Sequence, residues 1–131
     1  MPGKLTKVQI SDLELQYVAR LNVPDADAYT DRSARRSKRV RKKIDCHLDV
    51  PYGETAGQVL DVFPAKKCGA PVHIFIHGGY WRNPALTKDT YSHMAAPMVA
   101  AGAAVVLPNY DLCPSVSITE IVRQTRRAVI W

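Results

Sequence analysis

Two short runs, Val72 to Ile76 and Ala103 to Leu107, are apolar on both faces of an extended chain. Such runs read as strands buried on both sides, the habit of parallel sheets. Between them Tyr91, Met94, Ala95, Met98 and Val99 recur at helical spacing, and Gly102 stands where a C-terminal cap belongs. Pro97 lies inside this pattern and predicts a kink, because it removes one backbone donor. A strand, a helix and a second strand of this kind must cross over in parallel, which confines the second half of the chain to an α/β architecture.

The flanking segments extend this order. Cys46, Leu48 and Val50 alternate with His47 and Asp49 until Pro51-Tyr52-Gly53, and Val59 to Phe63 reads as the returning strand of an antiparallel pair. Ser117 stands three residues before Glu120, a capping box, with Val116 and Ile121 as its hydrophobic staple. The helix that follows is expected to bury a stripe of Ile118, Ile121, Val122 and Val129, with Arg123, Arg126 and Arg127 off it. A second box, Ser11 with Glu14 and the pair Ile10 and Leu15, predicts a helix near the N-terminus. The expected division is residues 1–44, a helix and basic segment, and residues 45–131, an α/β domain.

Composition enters at the basic segment. The net charge is +6, yet eight basic and no acidic residues lie between Arg32 and Lys43, and the rest of the chain carries −2. A nucleic-acid-binding fold would spread its cations over a folded face and interleave aromatics for stacking. The run is therefore expected to be a solvated helix or linker, and nucleic acid is not an expected partner. Cys46, Cys68 and Cys113 are odd in number and far apart, and read as ordinary free thiols without a disulfide framework or zinc site. No apolar stretch approaches the ~20 residues of a membrane span, and the first sixteen residues lack a signal-peptide core. A cytoplasmic protein with no membrane partner is expected. His73 and His77 lie about 13 Å apart along an extended strand, too far to share a metal, and no metal or cofactor is expected.

The chemistry-bearing segment is His77-Gly78-Gly79-Tyr80-Trp81, directly after Val72 to Ile76. Glycines at a strand end let the backbone turn sharply and aim amide N–H groups at a ligand. Such donors suit an oxyanion, each worth ~3–4 kcal/mol to its tetrahedral state. The plain alternative is a tight turn with two core aromatics. HGGYWR after an apolar strand resembles the HGGxW motif of kynurenine formamidases and related carboxylesterases, α/β-hydrolases that place an oxyanion loop after their third strand. Asp49 to Gly53 and Leu60 to Pro64 resemble the paired first strands of that family. Pro108-Asn109-Tyr110-Asp111-Leu112-Cys113-Pro114 resembles its Y-x-L-x-P segment, and Ile121 to Trp131 its helix before the nucleophile. The likeness covers Asp45 to Trp131 well and the first forty-four residues loosely.

The resemblance implies the N-terminal part of an α/β-hydrolase fold, with an antiparallel first strand pair, then parallel strands alternating with helices in an incomplete sheet. It implies oxyanion donors at Gly79 and Tyr80, in a loop shaped by His77, Gly78 and Trp81. It implies a small ester or aryl formamide substrate, the two not being distinguishable from these residues. None of the seven glycines brackets a serine at the G-x-S-x-G spacing of a nucleophile elbow. Ser117 is better used as a helix cap, and Ser115 as a loop residue. The 131 residues are thus expected to lack nucleophile, acid and base, and to be inactive alone. An exposed sheet edge, where the family has its fifth strand, is expected to promote self-association. A degenerate hydrolase and a basic adaptor remain the alternatives.

Overall fold

The computed structural model describes residues 12–131, so the capping box at Ser11 lies outside the described residues. The chain divides into two units, Met1–Arg32 and Ser33–Trp131. The first holds α1 (Asp12–Tyr17), a 3-10 turn (Ala19–Asn22) and the start of α2 (Ala26–Lys43). Within it Arg20 pairs with Asp27, and Asn22 donates to the Leu15 carbonyl.

The second unit is built on a four-stranded sheet. Its strands are β1 (His47–Pro51), β2 (Val59–Phe63), β3 (Val72–Ile74) and β4 (Ala104–Pro108), in the order β1-β2-β4-β3. β2 runs antiparallel to β1 and to β4, and β3 runs parallel to β4 with Val72 opposite Ala104 and Ile74 opposite Val106. The fold is α/β, with the strand pair and the parallel crossover expected from the sequence.

Alternation along the strands sorts two cores. Phe63, Val105 and Leu107 face one side with Ala95, beside Val40, Ile44, Phe75 and Tyr91. Leu60 and Tyr52 face the other with Ala128, beside Val50 and Val106. β1 departs from its expected alternation: the register shifts between His47 and Val50, and Asp49 takes φ +55 in that bulge.

The expected helix between β3 and β4 is three short pieces: α3 (Lys88–Tyr91), a 3-10 turn (Ser92–Met94) and α4 (Ala95–Ala100). Pro97 sits in the first turn of α4, where its missing N–H is not needed, so the break falls before it instead of a kink at it. Gly102, at φ +94, ends α4 as expected: its N–H bonds the Val99 carbonyl and the Ala103 N–H bonds the Met98 carbonyl, a Schellman closure.

Three expectations need correction. The run Val72 to Ile76 is not buried on both faces as its apolar pattern suggests; β3 is instead the exposed edge that the resemblance implies where the family has its fifth strand, with Val72 61% and Ile76 47% exposed. In α5 (Ile118–Ile130) the buried residues are Ile121, Gln124 and Ala128, while Ile118, Val122 and Val129 stay exposed. The helix turns toward the sheet the face that carries Gln124, because Gln124 has partners there; the exposed Val129 and Ile130 line a shallow pocket with Ile76. The basic run is helical but not merely solvated. Ser37 is fully buried and bonds the Thr90 carbonyl, Val40 packs on the core, and Arg41 reaches two aspartates. Ser117 does cap α5, accepting from the Glu120 N–H at 3.2 Å.

Candidate functional site

Parallel pairing of β3 with β4 brings the two chain exits side by side. Continuing the register from Ile74 opposite Val106 sets His77 level with Asn109, where the sheet ends. His77 is buried, and its imidazole joins these segments. Nδ1 lies 2.9 Å from the Gly78 carbonyl oxygen and Nε2 lies 2.9 Å from the Asn109 side-chain amide. The Tyr110 ring stacks on the imidazole at 4.3 Å with 5° between planes, and its hydroxyl donates to the His77 carbonyl at 2.6 Å. Burial pulls the His77 pKa below its ordinary value against the opposing effect of the Gly78 and Asn109 bonds, which favours the neutral ring.

Beyond His77 the backbone enters the left-handed region three times in succession, at Gly79 (φ +131), Tyr80 (φ +52) and Trp81 (φ +56). Only the first is a glycine, so two aromatic residues hold a conformation L-residues rarely adopt, a strain the surroundings must support. The supports are visible. The Gly79 carbonyl accepts from the N–H groups of Arg82 (3.1 Å) and Asn83 (2.9 Å), and the Trp81 carbonyl accepts from Cys113 N–H at 2.8 Å. Among the described residues, none accepts from the N–H groups of Gly79 or Tyr80. Tyr80 and Trp81 are exposed, at 78% and 50%, and so are not the core aromatics of the plain alternative.

The sequence-derived residues therefore meet in one loop, but their parts differ. Gly78 has neither a positive φ nor protein within 4 Å of the position a Cβ would take, so the sharp turn belongs to Gly79 and its successors. Asn109, Tyr110 and Tyr52 were given no role by sequence reasoning. Tyr52 donates its hydroxyl to the Asn109 carbonyl at 2.5 Å, and burial, then Asp111, pushes its pKa up to about 12, so it stays a donor. Below it, Asp111 accepts from Thr55 (2.7 Å) and Gln124 (2.9 Å). The signal that could have found Asn109 is the shared register of two parallel strands, which puts the residue after one strand level with the residue after the other.

A second polar cluster lies under α2. Lys88, buried in α3, donates to Asp49 at 2.6 Å, Asp61 at 2.7 Å and Asp89 at 3.0 Å. Arg41 lies 2.9 Å from Asp89 and 3.4 Å from Asp61, which is fully buried in β2. His47 is exposed, His93 lies 3.1 Å from the Ser37 hydroxyl, and the three cysteines are free. Among the described residues no group of three histidine, cysteine or acidic side chains is placed to hold a metal, and no helix is long and apolar enough to cross a membrane.

No family model matches the sequence. A kynurenine formamidase of Danio rerio is 35% identical, over 91% of this chain and 43% of its own length. Another from Salmo salar is 38% identical, over 72% of this chain and 32% of its own. Among solved structures, a proposed thioesterase from a Silicibacter species superposes with a TM-score of 0.81 at 33% identity, over 91% of this chain and 45% of that one. Esterase B of Lactobacillus rhamnosis matches at 0.54 and 18% identity, a likeness of fold alone. The chain spans less than half the length of these relatives.

Proposed function

Because this chain is kynurenine-formamidase-like and folds as the N-terminal part of an α/β-hydrolase sheet, we propose that it supplies the oxyanion half of a serine-dependent hydrolase acting on aryl formamides or carboxylic esters. One observation carries the reading. The carbonyls of Gly78, Gly79 and Trp81 are each engaged by the protein, while the N–H groups from Gly78 to Trp81, those of Gly79 and Tyr80 among them, have no acceptor among the described residues. Unpaired donors held by paired neighbours are what a developing oxyanion requires, because they need not reorganise during the reaction. In the proposed reaction a serine attacks the substrate carbonyl, and the negative oxygen formed is received by these two N–H groups.

No serine of the 131 residues has elbow spacing, so the nucleophile, its histidine and its acid come from outside them. The 131-residue polypeptide alone is therefore inactive and self-associates along the unpaired edge of β3. The test compares the native gene product with this polypeptide on an N-formyl aryl amide, on an aryl ester and with a fluorophosphonate. The native product should hydrolyse at least one substrate and be labelled, and the polypeptide neither. Labelling of the polypeptide, or failure of the native product, would contradict the proposal.

A second reading, a binding adaptor, is favoured by the outer face of α2. Seven of its eight cations between Arg32 and Lys43 are exposed, and among the described residues only Arg41 is paired. Association with nucleic acid that weakens steeply with salt would support it.

A further inference from the structure

The imidazole of His77 has a bonding problem that only one arrangement solves. Nδ1 faces the Gly78 carbonyl, which can only accept, so the proton must sit on Nδ1. A neutral ring has a single N–H, which leaves Nε2 as a bare acceptor in need of a donor. The atom facing it is assigned as Asn109 Oδ1, at 2.9 Å. Oxygen and nitrogen of an amide exchange places by a half-turn, and the hydrogen-bond network decides between them. A cationic ring could donate to both sides. That would bury a positive charge in a position where, among the described residues, no carboxylate touches the ring.

We propose that Asn109 is a positioning residue for the oxyanion loop: its amide N–H donates to His77 Nε2, holds the proton on Nδ1, and so fixes the direction of the Gly79 N–H. The last link is peptide geometry. In a planar trans peptide the N–H points opposite to the C=O of the same unit, and among the described residues the one cis bond is Cys113-Pro114. A Gly78 carbonyl held against the His77 ring therefore turns the Gly79 N–H away from it. The next unit repeats the device with other donors, since the Gly79 carbonyl held by Arg82 and Asn83 turns the Tyr80 N–H away from them.

Asn109 is itself fixed. Its N–H donates to the Val59 carbonyl at 2.8 Å and its carbonyl accepts from Tyr52. The ring cannot swing, because Tyr110 stacks on it and bonds its backbone. The remaining freedom is the proton's place on the ring, which the Gly78 carbonyl and the Asn109 amide fix from opposite sides. This inference rests on reading Gly79 and Tyr80 as oxyanion donors.

The experiment is nitrogen NMR of the histidine-labelled native gene product at neutral pH, with His77 assigned through its loss in His77→Gln. Protonated Nδ1 and bare Nε2 are expected. Asn109→Asp keeps the shape but can only accept, so both ring nitrogens should become protonated. Because Nδ1 then still holds the Gly78 carbonyl, its kcat should stay within about threefold of wild type. Asn109→Leu, which offers Nε2 no donor, should lose about tenfold to a hundredfold in kcat with KM changed less than about twofold, the mark of misplaced transition-state donors. A wild-type ring protonated on Nε2, or an Asn109→Leu enzyme with unchanged kcat, overturns the proposal while leaving the hydrolase reading intact. A native protein without hydrolase activity removes that reading, and with it the catalytic half of the proposal.

Discussion

Two polar clusters lie on this sheet, and they spend their hydrogen bonds differently. Under α2 the charged groups Lys88, Asp61, Asp49, Asp89 and Arg41 pair with one another, with only Arg41 Nε and Asp61 Oδ2 buried without a hydrogen-bond partner among the described residues. At the ends of β3 and β4 the neutral side chains of His77, Tyr110 and Tyr52 engage the carbonyls of Gly78, His77 and Asn109, while the N–H groups from Gly78 to Trp81 have no acceptor among the described residues. The first cluster ties α2, the β1 bulge and α3 together and ends there. The second holds a strained loop open toward something else. Charges turned on one another fit a scaffold, and unpaired donors beside engaged carbonyls are what the oxyanion proposal rests on.

The largest effect expected from breaking this contrast is at Lys88. Lys88→Met leaves Asp61 fully buried with Arg41 at 3.4 Å as its nearest cation, and a broken buried pair costs about 3–5 kcal/mol. Denaturant unfolding measures it, and a loss below about 1 kcal/mol would deny the charged cluster its scaffold role. Next comes the pair of glycines. Gly79→Ala forces a side chain to φ +131 and should cost about 1–3 kcal/mol along with most of the activity. Gly78→Ala meets nothing within 4 Å and should change stability by no more than about 0.5 kcal/mol. Equal losses at both would break the assignment of the turn to Gly79.

The smallest effects are in pH. His77 is held below its ordinary 6.5, so the unfolded chain binds the extra proton and stability falls as pH drops below 6.5 toward the folded value. His77→Gln should remove that slope. For Asp89, burial favours the neutral acid but Lys88 and Arg41 outweigh it, and the carboxyl is held below its ordinary 3.8. Its contribution is present above 3.8 and is lost as pH falls through the lower folded value, a loss Lys88→Met should diminish. Stability curves between pH 7 and 2 for the wild type and both variants separate the two windows. A His77→Gln curve parallel to wild type from pH 7 to 5 would remove His77 from the account.

Local patterns in the sequence were sufficient where the structure is local. The apolar run Val59 to Phe63 after the Pro51-Tyr52-Gly53 turn marks β2, Gly102 marks the end of α4, and Ser117 marks the start of α5. They failed where a neighbour distant in sequence decides. Val72 to Ile76 reads as buried from its apolar pattern alone, yet only β4 lies beside it, the open edge that the family resemblance and not the pattern implies. The stripe of Ile118, Val122 and Val129 outranks Gln124 in hydropathy, yet Asp111 selects the face with Gln124. Asp61 stands on the inward face with Phe63, which demands a cation, but among so many arginines and lysines no spacing singles out Lys88 and Arg41. The loop His77 to Trp81 was legible as a motif; its support by Asn109 was not, since it depends on how two strands register.

The most direct test of the oxyanion site is a crystal structure of the native gene product inactivated by a phosphonate ester. The account predicts a phosphoryl oxygen within about 2.7–3.1 Å of both the Gly79 and Tyr80 nitrogens, the reach of working oxyanion donors. A covalent adduct whose oxygen is held by other groups, with those two N–H groups facing solvent or the protein, would contradict it.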